Sequence, residues 1–322
     1  MVFIAGVRPY HASDGDTANM SRFSKEHHGL SITAAPMALA VVYIVTLPVL
    51  YFWAVGQGHV SAIWPYISDL GAWRPESSLF SEMLHFVALL MAVIFLLRYL
   101  LLRDYAYVRN FRYIKQIAFI NMTLGVMEAF GTSLVASYPT VETTSLHTVG
   151  ASIVFLFGVI YLLIDSYISV KTAVLRNHSL KIMYGRVALG LLMLVFLITA
   201  IGGGVKSGQQ RMDQLNNPML RLIWRAEDGG YTAHVVSTVS EWLMGALQLV
   251  YFITFIYEFQ HFRLPYPRLE PIDPAVILND VAGTRSATPR SSIRVEATSE
   301  KEPLLGNKSK QFMYIATGDF AQ

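Results

Sequence analysis

The sequence predicts an all-α polytopic membrane protein, a six-transmembrane-helix bundle with both termini in the cytosol, and three observations carry that prediction. Only 15% of the 322 residues are charged against 53% hydrophobic, whereas a soluble domain carries roughly 25% charge. Six apolar windows are long enough to cross ~30 Å of hydrocarbon, which takes about 20 residues of helix, the structure that satisfies its own backbone polar groups there. Lys and Arg then alternate between successive loops in the manner that fixes orientation.

The windows run approximately over residues 33–55, 83–102, 116–137, 147–168, 186–205 and 237–257. The first follows a polar stretch of about thirty residues with no small-residue cleavage site after it, so it reads as a retained signal anchor. Arg98, Arg103, Arg109, Arg112 and Lys115 join spans two and three, and Lys171, Arg176, Lys181 and Arg186 join four and five. Those loops are expected in the cytosol. The loop after span one holds only Arg74, and the loop after span three no basic residue, so both are expected in the lumen or outside. The stretch 206–236 carries Lys206, Arg211, Arg221 and Arg225 on that same side, offset by Asp213, Glu227 and Asp228; longer loops follow the charge rule less strictly.

Three segments result: a cytosolic N-terminal segment (1–32), the six-helix domain (33–260) and a largely disordered cytosolic tail (261–322), whose composition turns to Pro, Ser, Thr, Gly and charge. The sequons at Asn19, Asn177 and Asn307 fall on cytosolic segments and that at Asn121 inside a span, so an unglycosylated protein is expected. With no cysteine, disulfides, thiolate metal sites and Cys nucleophiles are excluded. The net charge of +3 belongs to topology, and no nucleic-acid partner is expected. No internal repeat points to an inverted-repeat transporter.

Ionisable groups at depth cost about 2.5–3.5 kcal/mol each on an insertion scale, so they mark a bundle interior or a site. Asn121, Gly125, Glu128 and Thr132 share one face of span three. The same spacing joins His147, Ala151, Val154 and Gly158 in span four, and Glu241, Gly245, Gln248 and Phe252 in span six. Small residues beside polar ones allow close helix approach, and the three stripes are expected to face one another. His85, Glu128, His147 and Glu241 are all expected toward the lumenal side, under a first loop, PYISDLGAWRPES, that adds Asp69 and Glu76 in a fixed turn. Three readings of this cluster stay open: mutual pairing that holds the helices in register, a lipid-headgroup or small-ligand pocket, and a zinc site of His85, His147, His234 and Asp69 for lipid hydrolysis. The last lacks H-E-x-x-H, H-x-x-x-H and G-x-S-x-G spacing, so no catalytic residue, metal or cofactor is assigned. Arg98 and Asp165 read as helix-end groups that reach water by snorkelling.

PYISDLG followed by PES, His147 with Gly150-Ala151 and then Gly158 and Tyr161, and Glu241-Trp242 with Phe259-Gln260 together resemble the DRAM (damage-regulated autophagy modulator) family of the Frag/DRAM/Sfk superfamily. The resemblance covers roughly residues 33–262, and Asp69, Glu76, His147 and Glu241 are the motif positions that carry over. It implies a six-helix protein of lysosomal, endosomal, Golgi or plasma membranes, with membrane lipids as partners. The function expected is a non-enzymatic modulator of autophagy or endolysosomal trafficking that binds a lipid or protein at the lumenal polar cluster or, as the alternative, a lipid-remodelling enzyme or regulator related to GPI anchors or phosphoinositides. The stretch 206–236 is longer than the resemblance leads one to expect. In the tail, Glu300 with Leu304-Leu305, and Tyr266 with Leu269, fit the acidic-dileucine and tyrosine-based motifs read by clathrin adaptors, which bind accessible peptide.

Overall fold

The computed structural model describes residues 29–108, 111–176, 180–211 and 221–265. Tyr266, Leu269, Glu300, Leu304 and Leu305 lie outside them, as do the sequons at Asn19, Asn177 and Asn307.

Six helices form where the apolar windows lie: α1 (Ala34–Gly56), α2 (Glu76–Val108), α3 (Arg112–Ser137), α4 (Thr144–Arg176), α5 (Leu180–Gln210) and α6 (Tyr231–Thr254). A single turn of helix, α7 (Ile256–Phe259), continues the last span. Each of the six is long and apolar enough to cross a membrane, and the chain is a multi-pass membrane protein.

Helices α2, α4 and α5 run one to three turns beyond the apolar windows, because helix continues into the polar boundary where hydropathy no longer signals it. Consequently α5 reaches Gln210 and the next long helix starts at Tyr231, so both ends of the stretch expected to be a loop from Lys206 to Val236 are helical.

Neighbours in sequence are neighbours in space. Helices α1 to α6 pack each on the next, and α6 returns to touch α1, so the bundle closes on itself. Helices α3 and α4 approach closely: a Cβ on Gly150 would sit 2.9 Å from Leu134 Cβ, and one on Gly131 would sit 2.9 Å from the Gly150 carbonyl oxygen. Only glycine at both positions lets these backbones meet, the role small residues play between membrane helices.

The burial pattern is that of a protein in lipid. Leu191, Val195, Ile198, Ile201 and Val205 form an exposed apolar stripe on α5, as do Val41, Ile44, Val45 and Phe52 on α1. The interior instead takes Asn121, Glu128, Arg98, Asp165, Arg186 and His234.

The two ends of the bundle differ. At one, here the tail side, β1 (Gly29–Ser31) pairs antiparallel with β2 (Arg263–Pro265), joining the entry to α1 with the exit from α7. At the other, the cap side, residues 57–75 fold over the bundle mouth around a 3-10 turn at Ile67–Gly71. The 221–228 stretch packs on this cap: Ser61 donates its amide to Leu222 O and its hydroxyl to Trp224 O, and accepts the Trp224 amide at 2.7 Å. Arg211, 2.8 Å from Asp228, lies over the Trp224 ring, and that ring stacks on His234 at 4.1 Å. The sequence alone left this stretch a loop of unexplained length; its aromatic and ionic contacts make it the second layer of the cap.

Candidate functional site

Beneath the cap, between α1, α2, α3, α4 and α6, lies a partly open cavity of about 100 Å³. Its wall is mostly apolar, with Leu39, Leu84, Met91, Phe155 and Phe252 among the lining side chains, and its polar atoms come from Tyr43, Ser68, Thr132, His147, Glu241 and Gln248. A mostly apolar wall with a few convergent polar groups is the usual lining of a small-molecule site.

The three polar stripes converge on this space. Thr132 comes from α3, His147, Ala151 and Val154 from α4, and Glu241, Gly245, Gln248 and Phe252 from α6. Gln248 bridges two of the stripes by donating its side-chain amide to Glu128 Oε1. The third is tied in at Gly158, whose absent Cβ leaves room for that carboxylate: a Cβ there would stand 2.9 Å from Glu128 Oε1.

Each expected site residue has a definite place. Glu241 lines the cavity, is 9% exposed, and accepts the Ile67 amide at 3.3 Å, which fastens the cap to α6. His147 lines it too, donating Nδ1–H to the Tyr138 carbonyl at 2.7 Å, with Nε2 3.5 Å from Thr140 Oγ1. Glu128 is fully buried beyond Gln248, and its Oε2 has no hydrogen-bond partner among the described residues. Asp69 is buried in the cap turn, an electrostatic neighbour of Glu241. Burial pushes its carboxyl up to about 7, against a hydrogen bond from the Tyr66 backbone. Burial likewise raises the Tyr66 phenol; its hydrogen bond to Ser237 acts the other way, and Glu241 and Asp69 add to the rise.

Two expected members lie elsewhere. Glu76, 1% exposed, takes His59 Nδ1 at 3.1 Å on both oxygens and so closes the cap onto the start of α2. His85 is exposed, donating Nδ1–H to Ser81 O at 2.8 Å and placing Nε2 3.2 Å from Ser137 Oγ, a link between α2 and α3 outside the cavity. His85, His147 and His234 are therefore apart, and no three His, Asp or Glu side chains among the described residues are grouped to hold a metal ion.

The sequence reading missed a second buried polar region, on the tail side. Arg98 of α2 donates Nε to Asp165 Oδ1 of α4 at 2.9 Å and Nη1 to Glu258 Oε2 of α7. Arg186 of α5 donates Nη1 to Glu258 Oε1 at 3.1 Å and to Ser169 Oγ at 3.0 Å, and Nε to Thr254 Oγ1 at 2.8 Å. Tyr251 donates to Asp165 Oδ2 at 3.0 Å. Both guanidinium groups lie over the Phe255 ring, at 5.1 and 4.8 Å. Arg98 and Asp165 do not snorkel: they are 2% and 0% exposed. Arg98 lies ten residues before the end of α2, about 15 Å of rise, beyond what a side chain spans. Arg186, 1% exposed, is likewise interior and not a loop charge.

A family model described as the Frag1/DRAM/Sfk1/Cwh43P N-terminal domain matches residues 31–262. DNA damage-regulated autophagy modulator protein 1 of Xenopus laevis is 31% identical over 210 residues, 65% of this chain and 83% of that protein. The Homo sapiens protein of the same name is 29% identical over 235 residues, 73% of this chain and 90% of its own length. DNA damage-regulated autophagy modulator protein 2 of Rattus norvegicus is 27% identical over 271 residues, 84% and 94% of the two chains. No solved structure matches.

Proposed function

The chain belongs to the Frag1/DRAM/Sfk1 family as a DRAM-type member, and from that premise we propose that it is a non-enzymatic modulator of autophagy and endolysosomal trafficking that works by holding a membrane lipid in the cavity beneath its cap. The autophagy half of the reading comes from the names of its relatives. The cavity is the observation that supports the lipid half: a mostly apolar space inside a membrane bundle, with Glu241 and His147 at its polar end. The cap side is assigned to the lumen and both termini to the cytosol, from the distribution of Lys and Arg between loops. On that assignment the tail motifs at Tyr266 and Leu304-Leu305 face clathrin adaptors, which would take the protein to lysosomes and endosomes.

The test pairs lipid analysis with a cellular readout. Ala151→Phe places a ring in the cavity from a position that lines it on α4. Wild-type protein purified in lipid nanodiscs is expected to retain a lipid in near one-to-one ratio, and Ala151→Phe to lose it while blunting the rise in autophagic flux that wild-type expression produces. Wild-type protein that carries no lipid above the nanodisc background would end the proposal.

A further inference from the structure

We infer that the lipid accommodated under the cap is one whose polar end is a cationic amine, a long-chain amine such as a sphingoid base, rather than a phospholipid or a fatty acid. This rests on the cavity reading above and adds the chemistry of the head group.

The argument is one of charge. The groups in and around the cavity are carboxylates: Glu241 in its wall, Asp69 next to Glu241 in the cap, and Glu128 behind Gln248. Among the described residues, no Lys or Arg lines it. The arginines buried in the bundle are engaged elsewhere: Arg98 and Arg186 with Asp165 and Glu258 on the tail side, and Arg211 with Asp228 in the outer layer of the cap. The lining histidine holds its Nδ1–H on the Tyr138 carbonyl, with its Nε2 toward the Thr140 hydroxyl.

A phosphate or carboxylate head placed here would therefore meet like charge with no counter-ion, which buried sites do not tolerate. An ammonium head would meet Glu241 at the polar end, and its chain would run along Leu84, Met91 and Phe252. Glu128 adds an unfilled acceptor near this space: it is fully buried, and its Oε2 finds no partner among the described residues even though Oε1 is bonded. A neutral alcohol or amide would satisfy an acceptor as well, but only an ammonium can also form an ion pair with Glu241. Amine over its own N-acylated form is thus the decisive comparison.

The experiment uses full-length protein in phosphatidylcholine nanodiscs and three photo-activatable, clickable probes: sphingosine, N-acetylsphingosine, and an octadecanoic acid. Sphingosine is expected to label wild type at least about tenfold more strongly than N-acetylsphingosine, and the acid to label it least. In Glu241→Gln the preference is expected to fall to within about threefold; Asp69→Asn is the second variant should Glu241→Gln fail to fold, and is expected to weaken the preference in the same direction. Ala151→Phe is expected to abolish all three signals. Equal or stronger labelling of wild type by N-acetylsphingosine or the acid, blocked in Ala151→Phe, overturns the head-group inference and leaves the lipid reading standing. Absence of specific labelling by any probe, in protein that also retains no lipid, overturns both. Sphingosine labelling that survives Ala151→Phe places the amine site elsewhere and equally overturns the inference.

Discussion

The two halves of the bundle both bury ionisable groups and treat them in opposite ways. On the tail side, two arginines meet two acids, Asp165 and Glu258, in a neutral lattice in which Ser169, Thr254 and Tyr251 supply further hydrogen bonds. On the cap side, Glu241 lines an apolar cavity whose wall holds no Lys or Arg among the described residues, and Asp69 and Glu128 are buried near it. A closed, charge-balanced lattice has no use for a ligand. An unbalanced set of acceptors beside empty space has, and the difference separates what holds the helices together from what is available to bind.

The comparison breaks most readily at the lattice. Arg98→Met leaves Asp165 buried without its bidentate partner, and removing one member of a buried ion pair costs about 3–5 kcal/mol. Unfolding in bicelles is expected to show a loss of that size, with Arg186→Met beside it. A loss under about 1 kcal/mol, the scale of an exposed pair, would mean that water reaches these groups and that the tail side is no lattice.

The next effect sharpens the cap side. Glu128→Leu strands the Gln248 amide, at about 1–3 kcal/mol, and Glu128→Gln is milder because it keeps hydrogen-bonding capacity. Residues in contact couple by about 0.5–3 kcal/mol, so Glu128→Leu with Gln248→Leu should cost less than the sum of its singles. Glu128→Leu with His147→Leu should instead be additive, because Gly158, which abuts Glu128, lies eleven residues from His147, about 16 Å along α4. Strong coupling in the second pair and none in the first would reverse this assignment.

A gentler effect belongs to the cap itself. With its carboxyl raised from 3.8 to about 7 by burial, Asp69 holds its proton more tightly in the folded protein than in the unfolded chain. Its contribution is fully present below about pH 4 and is lost as pH rises toward 7, with a slope no steeper than about 1.4 kcal/mol per pH unit. Thermal melts from pH 4 to pH 8 should show stability declining upward through that window, and Asp69→Asn should flatten the decline. A wild-type profile already flat there, or one rising with pH, would show that Asp69 is solvated.

The spans and the inward stripes were readable from sequence because both rest on periodicity. Apolar runs give the helices, and the spacing of Glu128, His147 and Glu241 with small residues gives faces that must avoid lipid. Pairing was not readable, since it depends on depth, and depth on helix ends that hydropathy places poorly. With span two taken to stop near residue 102, Arg98 looked like a boundary residue; with α2 running to Val108 it is interior. Arg186 was counted as a loop charge for the same reason. His85 misled in the other direction: a histidine near a helix start, like His147, it lies on the outer face of α2, bonded to Ser81 and Ser137. The one available signal for the lattice was arithmetic: Arg98, Asp165, Arg186 and Glu258 sum to zero charge.

Native mass spectrometry of protein released from lipid nanodiscs tests the division between the halves most directly. Wild type should carry a single lipid adduct. Ser169→Ala, which removes a shared acceptor of Arg98 and Arg186 from the lattice, should lower thermal stability and keep the adduct, and Ala151→Phe should keep stability and lose it. An adduct that persists in Ala151→Phe, or disappears with Ser169→Ala in protein that is still folded, would contradict the assignment of binding to the cap side and of cohesion to the tail side.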